Sequence, residues 1–301
     1  MYKRLKIAVN LVIFLLFAGF AWYMIVSIKK DGSLNYVTID KSDDSFVSPY
    51  KQVTSFDLPE EINRFDLYNG KLFISVKQSV YIYDTEANLL GDFLVEPDVR
   101  DIAVQGDNIY LLYPTSIVVL SFDGLPVRQW EACSELSDYC SFTIVGDYVF
   151  VTDVENKNIC KYTTNGDFVT FIRSPNGFII PSYSFDIDSW NDTIYCANSG
   201  RHQIETYTLS GEYITSFGSA GTEPGSFAGC CNPVYISFTQ CGKLITSEKG
   251  NPRISVFQRY GQFETLWLNN KKLNSGNKAS EVRSYNDKLF VAQKNSIIVY
   301  H

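Results

Sequence analysis

Apolar and polar residues alternate along the chain in short β-rich runs separated by tight turns, from about residue 65 to the end. Each unit predicts four strands. An apolar strand is followed, after a tight turn, by a second β-rich strand, then by a third strand of the type Ile-x-x-Tyr and by a fourth that ends on an aromatic residue. The clearest copies are Val151–Phe171, Tyr195–Phe217 and Leu244–Trp267. Self-similarity of this kind predicts a repeat architecture.

Turns between the first and second strands set the register, with a mean spacing near 43 residues. They carry Gly or Asn, which adopt positive φ readily. The six turns lie at Gly70, Gly106, Gly146, Asn191, Gly242 and Asn286. The third strands are predicted at Val80–Tyr83, Ile117–Leu120, Ile159–Tyr162, Ile204–Tyr207, Ile254–Phe257 and Ile297–Tyr300. Second turns are predicted at Asn88, Gly124, Gly166, Gly211 and Gly261, and terminal aromatics at Phe93, Trp130, Phe171, Phe217 and Trp267.

The sixth unit stops after its third strand, whereas Val53–Leu58 resembles a fourth strand with Phe56 at the aromatic position. We therefore expect this N-terminal strand to complete the last unit and close the ring, because closure removes exposed sheet edges. The sequence predicts an all-β fold, a six-bladed β-propeller of four-stranded blades over residues 51–301. Helical solenoids are disfavoured by the high content of Val, Ile, Tyr, Phe and Thr.

The first 50 residues differ from the rest of the chain. Ile7–Ile28 is a nearly continuous apolar run, and 22 helical residues would span about 33 Å, enough for a bilayer core. Lys3, Arg4 and Lys6 precede it and predict a cytoplasmic N-terminus (1–6). We expect an uncleaved single-pass anchor at 7–28, a polar linker at 29–50 and an extracytoplasmic propeller, periplasmic in a Gram-negative cell. A cleaved signal peptide is the competing interpretation.

Charge narrows the choice of partners. Residues 1–30 contain five Lys or Arg and no acid, so the remainder has 21 basic and 33 acidic residues, a net charge of −12. A surface this acidic argues against nucleic acid or anionic lipid as a partner of the propeller.

The phrase Asn198-Ser-Gly-Arg-His-Gln-Ile204, followed by Tyr207 and Gly211, resembles the NHL repeat, and 156–159 and 250–254 are degenerate copies. The resemblance covers most of 52–301 and implies a six-bladed propeller. It also implies one of several roles: a protein- or RNA-binding platform, a sensor ectodomain or, in a few cases, a lyase-type enzyme. RNA-binding members present a basic top face, which this acidic chain does not match.

An unusual phrase, Pro224-Gly-Ser-Phe-Ala-Gly-Cys-Cys-Asn-Pro233, places Cys230 and Cys231 where ordinary NHL repeats lead directly to the next blade. Propellers carry such connections on the top face, beside the loops between the second and third strands, and loops on a rigid scaffold carry function. The expected ligand or partner rim is Cys230, Cys231, Asn232, Arg201, His202, Glu248 and Lys249. The two cysteines are read as a vicinal disulfide, as a thiolate pair for a soft metal or electrons, or as structural residues.

The other cysteines divide into three groups. Cys133 and Cys140 flank one short top-face connection, which predicts a local disulfide outside the cytoplasm. Cys160 and Cys196 fall in predicted strands and are expected to be buried thiols. Cys241 belongs to a bottom-face turn, about one strand length away from the vicinal pair.

With only two histidines, His202 and His301, a multi-histidine metal site or a Ser-His-Asp triad is disfavoured. No cofactor is predicted; calcium in the channel or a soft metal at the cysteines stays open. We expect a tethered scaffold that binds an envelope protein or a small ligand on its top face. The alternatives are a redox or metal-linked role of Cys230 and Cys231 in an envelope electron-transfer or thiol-exchange system, and a propeller lyase or lactonase with a channel cation.

Overall fold

A computed structural model describes Gly19 and residues 46–301, and within it Val47–His301 form one compact unit. In this part of the chain, 24 strands build six four-stranded antiparallel sheets. No helix among the described residues is long and apolar enough to cross a membrane. Apart from Gly19, the predicted anchor at 7–28 and the linker up to residue 45 lie outside the described residues.

Each sheet is one blade, and in blades 1 to 5 the strands follow the chain from the channel outward. Blade 1 contains β2 (Arg64–Tyr68), β3 (Lys71–Ser75), β4 (Ser79–Asp84) and β5 (Leu89–Leu94). Blade 2 contains β6 (Asp101–Gln105), β7 (Asn108–Tyr113), β8 (Ser116–Ser121) and β9 (Pro126–Glu131). Blade 3 contains β10 (Tyr139–Val145), β11 (Tyr148–Asp153), β12 (Asn158–Thr163) and β13 (Phe168–Ile172).

Blade 4 contains β14 (Ile187–Trp190), β15 (Thr193–Asn198), β16 (Gln203–Thr208) and β17 (Tyr213–Phe217), with a short 3-10 turn at Ser199–Arg201. Blade 5 contains β18 (Tyr235–Phe238), β19 (Leu244–Glu248), β20 (Arg253–Phe257) and β21 (Phe263–Leu268). Blade 6 contains β22 (Val282–Tyr285), β23 (Lys288–Gln293), β24 (Ser296–Tyr300) and β1 (Gln52–Asp57). The predicted all-β, six-bladed fold with four strands per blade is confirmed.

The outermost strand of blade 6 comes from the other end of the described chain. β1 pairs antiparallel with β24, and Phe56 lies opposite Ile297. Backbone hydrogen bonds of 2.9 Å join Lys51 and His301 in both directions. The blade therefore contains strands from the first and the last residues of the propeller.

Burial decreases from the middle of each blade to its rim. Second and third strands such as β11 and β20 are almost fully buried, whereas fourth strands such as β17 are largely exposed. All six predicted first turns have positive φ at the predicted Gly or Asn. The first blade's second turn differs from the prediction, because Asp84 accepts hydrogen bonds from the backbone N–H groups of Glu86 and Asn88, and positive φ falls on Ala87.

Neighbouring blades meet where a turn glycine of one packs on the last large side chain of the previous fourth strand. The pairs are Gly124 with Phe93, Gly166 with Trp130, Gly211 with Ile172, and Gly261 with Phe217. A Cβ on any of these glycines would overlap the partner side chain, which explains the spacing of glycine and aromatic residues in the repeat. In the third blade the contact is made by Ile172 rather than by the predicted Phe171.

We expect Gly124→Ala to lower the free energy of unfolding by about 2 kcal/mol, because it combines a φ of +75° with a Cβ 2.6 Å from the Phe93 ring. Gly106→Ala is the matched control: its φ is +61°, but nothing lies within 4 Å of its Cβ, so only backbone strain of about 1 kcal/mol remains. Urea denaturation of both variants measures the difference. Equal losses would show that the contact between blades contributes nothing.

Candidate functional site at the top of the channel

The centre of the propeller is organised by Arg64, the first residue of β2, which contacts all five other blades. Its guanidinium makes hydrogen bonds or ion pairs with four side chains and lies 4.8 Å from the centre of the Tyr235 ring. The four partners are Asp101 (3.0 Å), Ser141 (3.4 Å), Asp186 (2.7 Å) and Glu281 (3.4 Å). Arg64 itself is 7% exposed. Burial alone would lower the pKa of Arg64, but the three nearby carboxylates have the larger effect and raise that pKa.

The same three carboxylates also connect neighbouring blades at three of the six junctions. Asp101 accepts a hydrogen bond from the backbone N–H of Phe142 at 3.1 Å, and Asp186 accepts one from Ile236 at 2.7 Å. Glu281 accepts one from Phe65 at 3.0 Å, across the junction of blades 6 and 1. Asp186 is buried, so its charge faces these partners and not solvent.

Above Arg64, on the top face, the channel opens into a cavity of about 690 Å³. Its wall carries both charges and an exposed aromatic residue: Glu60, Glu61, Asn63, Lys77, Asp98, Arg100, Cys140, Tyr183 and Tyr235. Among the described residues, the Nη1 atom of Arg64 makes no hydrogen bond, although Arg64 lines this cavity. This cavity, called the mouth below, therefore combines an available guanidinium donor with the Tyr235 ring and with acidic and basic side chains.

The predicted cysteine rim lies beside this mouth, and part of it forms one cluster. The Sγ atoms of Cys230 and Cys231 are 2.9 Å apart, and the hydroxyl of Ser182 donates to Cys231 Sγ at 3.1 Å. The ammonium of Lys249 lies 2.6 Å from the Ser182 hydroxyl. Asn232 is buried and exchanges two hydrogen bonds with the backbone of Lys249, at 2.9 and 3.0 Å.

The remaining rim residues have structural contacts. His202 Nε2 lies 2.7 Å from the carbonyl oxygen of Gly229, so it supports the cysteine loop. Arg201 donates instead to the carbonyl oxygens of Asn176 and Gly177, in the preceding connection. Glu248 is buried and pairs with Arg253, whose guanidinium also donates to backbone carbonyl groups of the same loop. Glu248 therefore holds the loop in place and is not presented to a ligand.

The structure does not join Cys133 to Cys140, and all seven cysteines are free. Cys133 Sγ lies 3.6 Å from Cys160 Sγ, while the thiol of Cys140 donates to the carbonyl oxygen of Tyr183 at 3.1 Å. The connection directs the two thiols differently because Cys140 already belongs to β10, facing the mouth. Cys160 and Cys196 are buried as predicted, and Cys241 is exposed.

Arg64, Ser182 and Tyr183 were not among the predicted site residues. The position of Arg64 at the start of an innermost strand was predictable, but its partners lie on other blades. Ser182 and Tyr183 lie in an irregular connection whose path no sequence period specifies. Among the described residues, no group of three or more His, Cys, Asp or Glu side chains is arranged to hold a metal ion.

Six four-stranded blades around a channel, with the mouth on the top face, define the chain as a six-bladed β-propeller. No protein-family model matches it. NHL repeat-containing protein 3 of Homo sapiens is 25% identical to it over 185 residues, which are 56% of this chain and 51% of that protein. The chain thus spans about half the length of this relative. Over these 185 residues the chain is thus distantly similar to an NHL-repeat protein.

Solved structures with low sequence identity share the fold. The virginiamycin B lyase from Staphylococcus aureus has a TM-score of 0.59 at 13% identity, covering 83% of this chain and 99% of that one. A streptogramin B lyase has a TM-score of 0.61 at 16% identity, covering 84% and 97%. A protein of unknown function from Bacteroides thetaiotaomicron has a TM-score of 0.59 at 11% identity, covering 84% and 72%. At such identities the likeness shows the fold alone.

Proposed function

We propose that this protein is a binding scaffold, tethered to the membrane by residues 7–28, whose propeller binds a protein loop or a small ligand outside the cytoplasm. The observation that carries the proposal is the cavity of about 690 Å³ at the top of the channel, with the Arg64 donor at its base. Concave sites with a few convergent polar groups are the usual ligand sites of such scaffolds.

The chemistry of the mouth favours an uncharged or zwitterionic polar ligand that presents an oxygen acceptor. Arg64 offers Nη1, but the carboxylates of Asp101, Asp186 and Glu281 already balance its charge, so an extra anion gains little. The mouth is lined both by acidic side chains (Glu60, Glu61 and Asp98) and by basic ones (Lys77 and Arg100). A peptide loop satisfies both requirements, because its backbone carbonyl groups accept hydrogen bonds and its side chains match the mixed rim.

Site-specific photo-crosslinking from the mouth tests the proposal in the full chain within its own cell. We expect a benzophenone side chain in place of Tyr183, which is 53% exposed on the rim, to give a discrete adduct. The control is the same side chain in place of Tyr260, which is 76% exposed at a bottom-face turn. Gels and intact-mass measurement detect protein and small-ligand adducts, respectively.

Arg100 provides a second test, since its guanidinium lies 5.9 Å from the centre of the Tyr183 ring and lines the mouth. Arg100→Glu is expected to reduce the Tyr183 adduct at least about fivefold by reversing a rim charge. Equal adducts from Tyr183 and Tyr260, or none from Tyr183, would rule out top-face binding. Resistance of the full chain to alkaline extraction from membranes tests the tether separately.

The lyase alternative has less support in the geometry. A channel cation needs carboxylates that converge on the metal, whereas Asp101, Asp186 and Glu281 converge on the guanidinium of Arg64. Arg64 thus occupies the position in the channel where these three carboxylates could otherwise share a cation. Binding is therefore the better-supported function of the mouth.

A further inference from the structure

The thiol pair next to the mouth has an organisation that ligand binding does not require. Cys230 is exposed, whereas Cys231 is 2% exposed, and their Sγ atoms lie 2.9 Å apart without a covalent bond. One sulfur therefore meets solvent directly, and the second sits behind it against the protein.

The inner sulfur is surrounded by hydrogen-bond donors. The Ser182 hydroxyl donates to Cys231 Sγ at 3.1 Å, and the Lys249 ammonium donates in turn to the hydroxyls of Ser182 and Ser184, at 2.6 and 3.2 Å. In the described part of the chain, no ion pair joins Lys249 to a carboxylate. The Cys231 thiolate is therefore the anion that this lysine can neutralise.

The environment of Cys231 differs from that of Cys140 and Cys196. Burial raises the pKa of Cys140 to about 12 and also raises the pKa of Cys196. Burial opposes the ionisation of Cys231 as well, but the hydrogen bonds from Cys230 and Ser182 and the positive charge of Lys249 outweigh it and lower the pKa of Cys231. The hydrogen bond to Cys231 raises the pKa of Cys230, so the inner sulfur of the pair ionises more readily than the outer one.

We propose that Cys230 and Cys231 form a thiol–disulfide exchange site whose substrate is a disulfide arriving from solvent. This inference is independent of the ligand at the channel mouth. It rests on the exposed Cys230 thiol, on the buried Cys231 sulfur behind it that accepts a hydrogen bond from Ser182, and on the hydrogen bonds of Asn232 that fix the loop to Lys249.

The exchange proceeds in two steps. Cys230 passes its proton to the Cys231 thiolate and attacks one sulfur of the disulfide R–S–S–R, so that the S–S bond breaks and RS⁻ leaves. That thiolate takes the proton back from Cys231, and Cys231 Sγ then attacks Cys230 Sγ and expels the second RS⁻. The pair is oxidised by two electrons to a vicinal disulfide, and R–S–S–R is reduced to one R–SH and one RS⁻, so charge and electrons balance.

The test exposes the full chain to oxidised glutathione at pH 7, followed by acid quench, alkylation and chymotryptic peptide mapping, which separates Cys241 from the pair at Phe238. The exposed Cys241 is the internal reference, because within the part of the chain that the structure describes its sulfur has one hydrogen-bond partner, the Thr239 hydroxyl at 3.2 Å. We expect Cys230 to react at least about tenfold faster than Cys241 and then to become linked to Cys231.

Variants separate the roles of the residues. Cys231→Ser is expected to stop at the mixed disulfide on Cys230. Lys249→Met is expected to slow the reaction about tenfold and move the pH midpoint of its rate upward, whereas Lys249→Arg retains most of the rate. Lys278→Met, a surface lysine paired with an exposed Glu61, is the control. If Cys230 reacts no faster than Cys241, or the pH midpoint is unchanged in a folded Lys249→Met protein, the proposal is wrong.

Discussion

Replacing Arg64 by methionine is expected to lower the free energy of unfolding by about 3 to 5 kcal/mol at pH 7. The variant leaves Asp101 and Asp186, each no more than 3% exposed, without the cation that pairs with them, whereas Glu281 keeps its ion pair with Arg283 at 2.8 Å. Removing one partner of a buried ion network costs far more than the network contributes to stability, because the remaining charges stay desolvated. Urea unfolding followed by tryptophan fluorescence measures the loss.

The pH dependence identifies the cause of that loss. Acidification protonates the orphaned carboxylates in the Arg64→Met protein, so the difference from the wild type should shrink between pH 7 and pH 5. Lys288→Met, which breaks a surface pair with Glu86, should cost no more than about 0.5 kcal/mol at either pH. A loss below about 1 kcal/mol for Arg64→Met at pH 7 would show that the channel network does not hold the ring together.

The second large effect that we expect concerns Asp188 in the lower channel and the dependence of folding stability on pH. Burial raises the pKa of this carboxyl from 3.8 to about 7, despite the opposing charge of Arg283 and a hydrogen bond from the Ser189 N–H. The folded protein therefore binds the Asp188 proton more tightly than the unfolded chain. This contribution is fully present below pH 3.8 and is lost as the pH rises to about 7.

Asp188→Asn keeps the shape of the side chain and removes its titration. We expect the free energy of unfolding of the variant, relative to that of the wild type, to rise by about 3 kcal/mol from pH 4 to pH 8. One pKa unit corresponds to about 1.36 kcal/mol. Asp123→Asn, at an exposed surface turn, changes the net charge equally and is the control. Glu281, whose pKa burial raises to about 6, and Asp66, whose pKa burial also raises, titrate in both proteins. A constant difference between variant and wild type across this range would contradict the prediction.

The repeat pattern was sufficient to predict the blades because local chemistry fixes them. Each first turn needs positive φ, and Gly70 or Asn191 supplies it at low cost. The glycine and aromatic positions recur because blades pack on one another through them, as Gly124 does on Phe93. Ala87 is the exception, because a side-chain hydrogen bond of Asp84 sets the local turn.

The candidate site was predictable only in part. The phrase around Cys230 and Cys231 indicated an unusual top-face loop. Asn232 of this loop does hydrogen-bond to Lys249 in the neighbouring turn. Ser182 completes the cluster from 49 residues away in sequence, through a connection without a periodic pattern.

The number of blades, their strands and the face expected to carry the cysteine loop follow from hydrophobic alternation and from turn residues repeated along the chain. Which side chains fill the channel and which thiols approach one another depends on contacts between blades. Arg64 contacts residues from 37 to 217 positions away, and Cys133 approaches Cys160 rather than Cys140. Such contacts depend on the closure of the ring, which brings distant first strands together around one axis.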